Sequence, residues 1–280
     1  MYDLTHLPEP DLLAELEGQC VALAVEAGRF IRDERPVAVD VAATKSTDTD
    51  VVTEMDRRSE ELLHRRIREL RPQDGILGEE GADVPGTSGL TWVVDPIDGT
   101  VNYLYEIPAY AVSVAVVVGD PHVEGAWRPV AGAVSDPSRR LVHHARRGGG
   151  AWTSPEAPDH GEGRPLHVSG EDALARSLLA TGFGYSEQKR RAQAEVLLRV
   201  LPAVRDIRRI GSAALDLVRV ADGSVDAYCE SGINAWDLAA GWVIVEEAGG
   251  VVAGAGEHPG KELTVAAGPA LVDPVRRLFG

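Results

Sequence analysis

The sequence predicts a mixed α/β protein of the α+β kind, and three observations lead there. Two long amphipathic stretches open the chain. A run of short strand-like segments follows, separated by Gly, Asp and Pro. After a Pro- and Gly-rich interruption, strand-like and helical segments alternate to the end.

The first helix is expected over residues 10–31. Leu12, Leu13, Leu16, Leu23, Ala27, Phe30 and Ile31 return at helical spacing, and Pro10 suits the first turn. Residues 32–49 are charged and aperiodic, which reads as a loop or a mobile hairpin carrying Lys45. Thr53-Glu54-Met55-Asp56 has the form of a capping box. It opens a second helix to Leu70 with Leu62, Leu63, Ile67 and Leu70 on one side, and Pro72 ends it. Ile76 and Leu77 form a short apolar segment running into Gly78-Glu79-Glu80-Gly81. Strands are expected at 90–94, 111–118, 130–135 and 141–145, giving a mostly antiparallel sheet beside two helices.

Residues 154–165, SPEAPDHGEGRP, form the best boundary and divide the chain into an N-terminal α+β subdomain, 1–153, and a C-terminal α/β subdomain, 166–280. Beyond the boundary, strands are expected at 177–181, 206–210, 225–230 and 263–267. Helices are expected at 187–201, 212–220, 235–248 and 270–279.

Composition narrows the function. The chain has 280 residues, 44% of them hydrophobic, and a net charge of −16. Such a surface repels a phosphate backbone, which argues against nucleic-acid binding as the main activity. Two distant cysteines, Cys20 and Cys229, form neither a disulfide framework nor a zinc signature and suit a reducing cytoplasm. No export signal is expected from MYDLTHLPEPDLLAELEG. The longest apolar run, 109–118, is too short to span a bilayer, so no membrane partner is expected.

The chemistry concentrates in WVVDPIDGTVNY, residues 92–103. A strand is expected to deliver Asp95 and Asp98 just past its carboxyl end, where ligands sit in layered α/β folds. Pro96 holds Asp95 extended, and Gly99 permits a sharp turn beside a ligand. An Asp-Pro and Asp-Gly turn would explain these residues equally well on their own. Other acids shift the balance: Glu79 and Glu80 lie between glycines, Asp237 lies just inside a helix start in GINAWDLAAG, and Asp50 precedes Val51-Val52. Each has a plain alternative; Asp237 could simply favour a helix N-terminus. If four of them converge, each like-charged pair about 4 Å apart costs roughly 4 kcal/mol at an effective dielectric near 20. A divalent cation offsets that, and carboxylates, backbone carbonyls and water are what magnesium prefers. Thr100 adds a hydroxyl, and Gly99 and Thr100 N–H groups offer an anion cradle. Together these point to metal-assisted phosphate-ester hydrolysis.

The motifs DPIDGTVNY, GEE at 78–80, DVVTEMD at 50–56 and WDLAAG at 236–241, in this order and spacing, resemble those of the inositol monophosphatase family. RRIGSAALDL at 208–217 and DAYCE at 226–230 resemble its actinobacterial inositol-phosphate branch. The resemblance implies a layered αβαβα sandwich of the inositol monophosphatase/fructose bisphosphatase type. It implies two or three Mg2+ ions on Glu79, Asp95, the carbonyl of Ile97, Asp98 and Asp237, with Thr100 and Asp50 orienting a water and no covalent phosphoenzyme. Glu79 is then also catalytic. It implies substrate contacts at Gly99, Thr100, Gly211, Ser212, Ala213 and Glu230 with Arg208 nearby, a small phosphate ester as partner, lithium inhibition and a homodimer. Met55 and Tyr103 depart from the family pattern, which usually has Thr and Phe there.

Rivals remain. A haloacid-dehalogenase-type phosphatase needs its two aspartates two residues apart, whereas Asp95 and Asp98 are three apart. Within the family, histidinol phosphate, fructose-1,6-bisphosphate or 3′-phosphoadenosine 5′-phosphate would use the same acids. A regulatory role on an RNA or transcription complex belongs to a different class, and the complete set of acids argues against it.

Overall fold

The computed structural model describes residues 7–36, 39, 41–44, 51–81, 83–157 and 163–280. Lys45 and Asp50 lie outside them. Helix α1, Pro10–Asp33, starts on a proline whose fixed φ suits the first turn. It buries Leu13, Leu16, Cys20, Leu23, Ala27 and Ile31 along one stripe. Strand β1 (Val41–Thr44), inside the stretch expected to be a loop or hairpin, pairs antiparallel with β2 (Val51–Thr53), which lies beyond it. Helix α2, Glu54–Leu70, carries the expected capping box: Thr53 N–H donates to Asp56 Oδ2 at 2.8 Å, and Thr53 Oγ1 accepts from Asp56 N–H.

Seven strands follow as one sheet in the order β3-β4-β5-β6-β7-β8-β9. They are β3 (Gly75–Gly78), β4 (Leu90–Asp98), β5 (Ala111–Gly119), β6 (Trp127–Asp136), β7 (Leu141–Arg146), β8 (Ala151–Pro155) and β9 (Arg164–Pro165), with the short helix α3 (Thr100–Leu104) between β4 and β5. Among the described residues of this sheet, only the β3–β4 pair is parallel. The Pro- and Gly-rich stretch begins within β8 and ends within β9, which pair with each other through Trp152 and Thr153.

The second sheet has the order β11-β10-β12-β14-β13. Its strands are β10 (Leu178–Ala180), β11 (Asp206–Arg208), β12 (Ala227–Glu230), β13 (Val251–Ala253) and β14 (Thr264–Ala267). Helices α4 (Glu187–Val200), α5 (Ala213–Ala221), α6 (Ala235–Glu247) and α7 (Val272–Phe279) alternate with them.

Alternating side chains sort these elements into layers. Trp92, Val94, Val114 and Val116 face α1 and α2. Val93, Ala115 and Val117 face the other way, onto Leu217, Val218, Val243 and Ile244 of α5 and α6. Those helices also cover Tyr228 and Ala266 of the second sheet, whose outer residues Leu179, Cys229 and Val265 pack against α4 and α7. The result is the expected αβαβα sandwich. A close approach seats α6: a Cβ on Gly132 would lie 2.8 Å from the Cα of Ala240, so glycine in β6 lets the helix that carries Asp237 lie directly on the sheet.

The two departures from the family pattern are accommodated. Met55 is 3% exposed in the core beneath α1. Tyr103 is fully buried, and its hydroxyl donates to the carbonyl of Ile31 at 2.8 Å.

Candidate active site

Strand β4 does not stop at Val94. It runs through Asp95, Pro96 and Ile97 to Asp98, all buried, so both acids are part of the strand rather than of a turn beyond it. The pairing explains how they converge. Asp95 pairs with Ser113 and Asp98 with Ala111, a step of three residues on β4 against two on β5. This is a β-bulge with one extra residue. Residues three apart on a regular strand face opposite ways; the extra residue restores the phase, and Asp95 and Asp98 reach the same cavity. Pro96 is tolerated because a bulge leaves its position out of the ladder.

Asp98 is 8% exposed and held from the second half of the chain. Ser212 Oγ donates to its Oδ2 at 2.6 Å, Ala214 N–H to the same oxygen at 2.7 Å, and Ala213 N–H to Oδ1 at 3.3 Å. These donors form the start of α5, where the helix favours a negative charge. Asp95 Oδ1 accepts from Ile97 N–H at 3.0 Å. Asp237, in the first turn of α6, accepts from Asn234 N–H at 2.6 Å. One oxygen from each of Asp95, Asp98 and Asp237 lies within 4.8 Å of the others. Glu79, after β3, lines the same cavity of about 500 Å³.

Like charges crowd this cluster. Burial pushes the Asp237 carboxyl well above the usual range, and the charges of Glu79 and Asp98 push it further. Burial also raises Asp98, although Ser212 and two amides pull the other way. Converging carboxylate oxygens, those of Asp98 and Asp237 raised in this manner, fit a hard divalent cation, whose charge offsets both causes. The Ile97 carbonyl oxygen lies 3.0 Å from Thr100 Oγ1, and with that hydroxyl hydrogen directed to Asp56 its lone pairs leave it able to serve as a ligand too.

Thr100 opens α3 behind Gly99, whose φ of +95° excludes other residues without strain. A Cβ on Gly99 would also lie 3.0 Å from the carbonyl oxygens of Ala109 and Gly211. Thr100 Oγ1 sits 2.9 Å from Asp56 Oδ1. Asp56 is fully buried at the third position of α2, and burial raises its carboxyl pKa. Asp56 thus stands beside Thr100, where the family resemblance leads one to expect Asp50. The signal was present in DVVTEMD, where Asp56 reads as a capping residue; it has both duties, one oxygen on Thr53 and the other on Thr100.

The far wall comes from the second sheet. Gly211, Ser212, Ala213 and Glu230 line the cavity. Glu230 accepts from Tyr228 Oη at 2.8 Å, and burial lifts its carboxyl to about 7. Its carboxylate fits only because residue 182 is glycine, where a Cβ would lie 2.0 Å from Oε2. Arg208 is not in the cavity. It is exposed at the end of β11 and pairs with Asp206 at 2.7 Å, two residues back on the same face. The arginine that lines the cavity is the next one, Arg209, beside the Phe183 ring at 5.9 Å. Lys189 of α4 lines it as well, threading between Gly184 and Gly232. Asp216 completes the wall. Sequence spacing marks neither Asp56 as the partner of Thr100 nor Lys189, Arg209 and Asp216 as cavity residues.

The profile of the inositol monophosphatase family matches residues 12–277. The chain belongs to the inositol monophosphatase family. Within this family, an inositol-1-monophosphatase of Mycobacterium bovis is 45% identical over 276 residues, 93% of this chain and 91% of that protein. The solved structure of Mycobacterium tuberculosis SuhB superposes with a TM-score of 0.78 at 44% identity, covering 95% of this chain and 96% of that one. A Nus factor SuhB of Xylella fastidiosa is 39% identical over 204 residues, 72% of this chain and 68% of that protein. Among the described residues, no helix of this family member is long and apolar enough to cross a membrane.

Proposed function

We propose that the protein is a magnesium-dependent phosphomonoesterase that hydrolyses myo-inositol monophosphate to inositol and phosphate. The observation that carries this is the convergence of Asp95, Asp98 and Asp237 within 4.8 Å, next to a Thr100 hydroxyl backed by a buried carboxylate. Magnesium bound by Glu79, Asp95, the Ile97 carbonyl, Asp98 and Asp237 supplies charge for the phosphate oxygens and acidity for the attacking water.

The protein's own groups do the rest. Gly99 and Thr100 N–H groups hold phosphate oxygens at the start of α3. Thr100 directs its hydroxyl hydrogen toward Asp56 Oδ1, which leaves an Oγ1 lone pair for a hydrogen of the attacking water. As the water adds in line to phosphorus, its proton passes to Thr100 Oγ1 and the Thr100 proton to Asp56, while the ester P–O bond opposite breaks and the leaving inositol oxygen takes its proton from solvent water. Burial prepares Asp56 to take that proton, and Thr53 N–H keeps the carboxylate oriented. Glu230, at the opposite wall, accepts from hydroxyls of the leaving polyol. Asp50, outside the described residues, stays a candidate for water orientation, and Arg208 is replaced in the substrate role by Arg209.

The test is phosphate release from inositol-1-phosphate, fructose-1,6-bisphosphate, histidinol phosphate and 3′-phosphoadenosine 5′-phosphate, with and without magnesium. No release from any of them by folded protein would overturn the enzyme reading; preference for another ester would overturn only the substrate. The name of the Xylella relative favours a second reading, a role in a transcription complex, which a folded but inactive protein would support. A homodimer, lithium inhibition and a cytoplasmic location belong to the same proposal, the first checked by light scattering. So does the division into 1–153 and 166–280, with the metal loops mainly in the first part and the substrate wall in the second.

A further inference from the structure

The far wall contains a carboxyl that the proposed reaction leaves without a task. Asp216 lies in the first turn of α5, is 2% exposed, and lines the cavity. Its Oδ1 is buried and has no hydrogen-bond partner among the described residues. Buried side-chain oxygens are ordinarily satisfied, and one that is not lowers the stability of the empty fold. Several other buried polar atoms lack partners, among them both ring nitrogens of His143, but of the residues concerned only Asp216 and Trp236 line this cavity.

The neighbour makes the contrast useful. Glu230 faces the same cavity from β12 and is already engaged by the Tyr228 hydroxyl. Asp216 lines it from α5, and its Oδ1 is the carboxyl oxygen left without a partner among the described residues. Two carboxyls on two elements of one wall can receive two hydroxyls of one ring. We propose that Asp216 is a second hydroxyl-binding residue of the site, paired with Glu230 to hold adjacent hydroxyls of a polyol phosphate. This rests on the phosphatase reading above. Burial, with the charges of Asp98 and Glu230, lifts the Asp216 carboxyl to about 8 against the opposing pull of Arg219 and Arg209. A raised carboxyl favours its protonated form, which donates to a hydroxyl oxygen as well as accepting from one.

The test compares myo-inositol monophosphate with 4-nitrophenyl phosphate, which has no hydroxyls, on the magnesium-loaded full chain. Asp216→Leu should raise KM for the polyol ester about tenfold while kcat/KM for the aryl ester stays within about twofold. Asp216→Asn, which keeps a donor and an acceptor, should retain most of the wild-type preference. The melting temperature of the Leu variant should hold or rise, because an unpartnered polar group has been removed. Should that variant not fold, Asp216→Ala is read in the same way. Equal loss on both esters would make Asp216 structural, and no loss on either would make it a bystander; each overturns the inference. Wild-type protein that hydrolyses neither ester would instead overturn the phosphatase reading beneath it.

Discussion

On one side of the cavity, Asp95, Ile97, Asp98, Gly99 and Thr100 come from a run of six consecutive residues, and a single β-bulge aims its two acids. On the other, Lys189, Arg209, Asp216 and Glu230 come from α4, the segment after β11, α5 and β12. The first side depends on one strand in the middle of a sheet, with α2 beneath it. The second is assembled by packing among several elements, so any one of its residues can change without moving the others. A site built in this way separates the reaction, which belongs to the rigid side, from the choice of leaving group, which belongs to the composite one.

If that separation holds, the largest losses should follow changes on the strand side and should appear in turnover. Asp98→Asn should lower phosphate release roughly 10⁴-fold with circular dichroism unchanged, because several kcal/mol of charge stabilisation depend on the cation it helps hold. Near-wild-type turnover would remove Asp98 from the metal set. Next in size, Asp56→Asn should lower kcat by about a hundredfold to a thousandfold with little change in KM, as expected for loss of a proton acceptor. Asp50→Asn made in parallel discriminates between the two acids. If Asp50→Asn is the damaging change and Asp56→Asn is mild, the water-orienting role returns to Asp50.

The same contrast explains what could be read in advance. The layers were legible because helix stripes and strand runs have distinct periods, and Asp95, Asp98, Glu79 and Asp237 were legible because acids with no local reason for charge sit in recognisable motifs. The extension of β4 through Pro96 was not legible, since proline argues against strand wherever a bulge is unseen. Asp56 was concealed by its own capping role. Arg208 and Arg209 are adjacent and chemically identical, and only the edge-strand pairing with Asp206 determines which one faces the cavity. Lys189 and Asp216 gained their position from glycines and helix packing remote in sequence, which periodicity does not encode.

Acidity offers a smaller test of the two sides. Glu230 is raised from 4.5 to about 7 by burial, so between those values the folded state holds a proton that the unfolded state has lost. Its contribution to stability is complete below pH 4.5 and disappears as pH rises through about 7. In metal-free urea unfolding, wild-type protein should therefore lose stability from acid to neutral pH, and Glu230→Gln should reduce that loss by about 1–2 kcal/mol. Asp98 and Asp237 are raised too, but magnesium should relieve their share and leave the Glu230 share in place. A pH dependence that magnesium abolished entirely would mean that the two sides are electrostatically one.

The smallest expected effect separates two neighbouring arginines. Arg208 pairs with Asp206 on an exposed strand end, where ion pairs contribute about 0–1 kcal/mol and touch no substrate. Arg209 lies at the mouth of the cavity, and its positive charge opposes the upward pull of burial on Glu230 and Asp98. Arg209→Ala should raise KM for inositol monophosphate about threefold to tenfold with kcat nearly unchanged, a modest change because the guanidinium is exposed and screened. Arg208→Ala should leave both constants within about twofold. If the Arg208 variant carried the KM effect and the Arg209 variant did not, the wall facing the substrate would have to turn by one residue at the end of β11, and Glu230 would lose its nearest arginine. A fall in kcat for either variant would mean that the composite wall also controls the geometry of Thr100 and Asp56, through Gly211, whose carbonyl lies against Gly99.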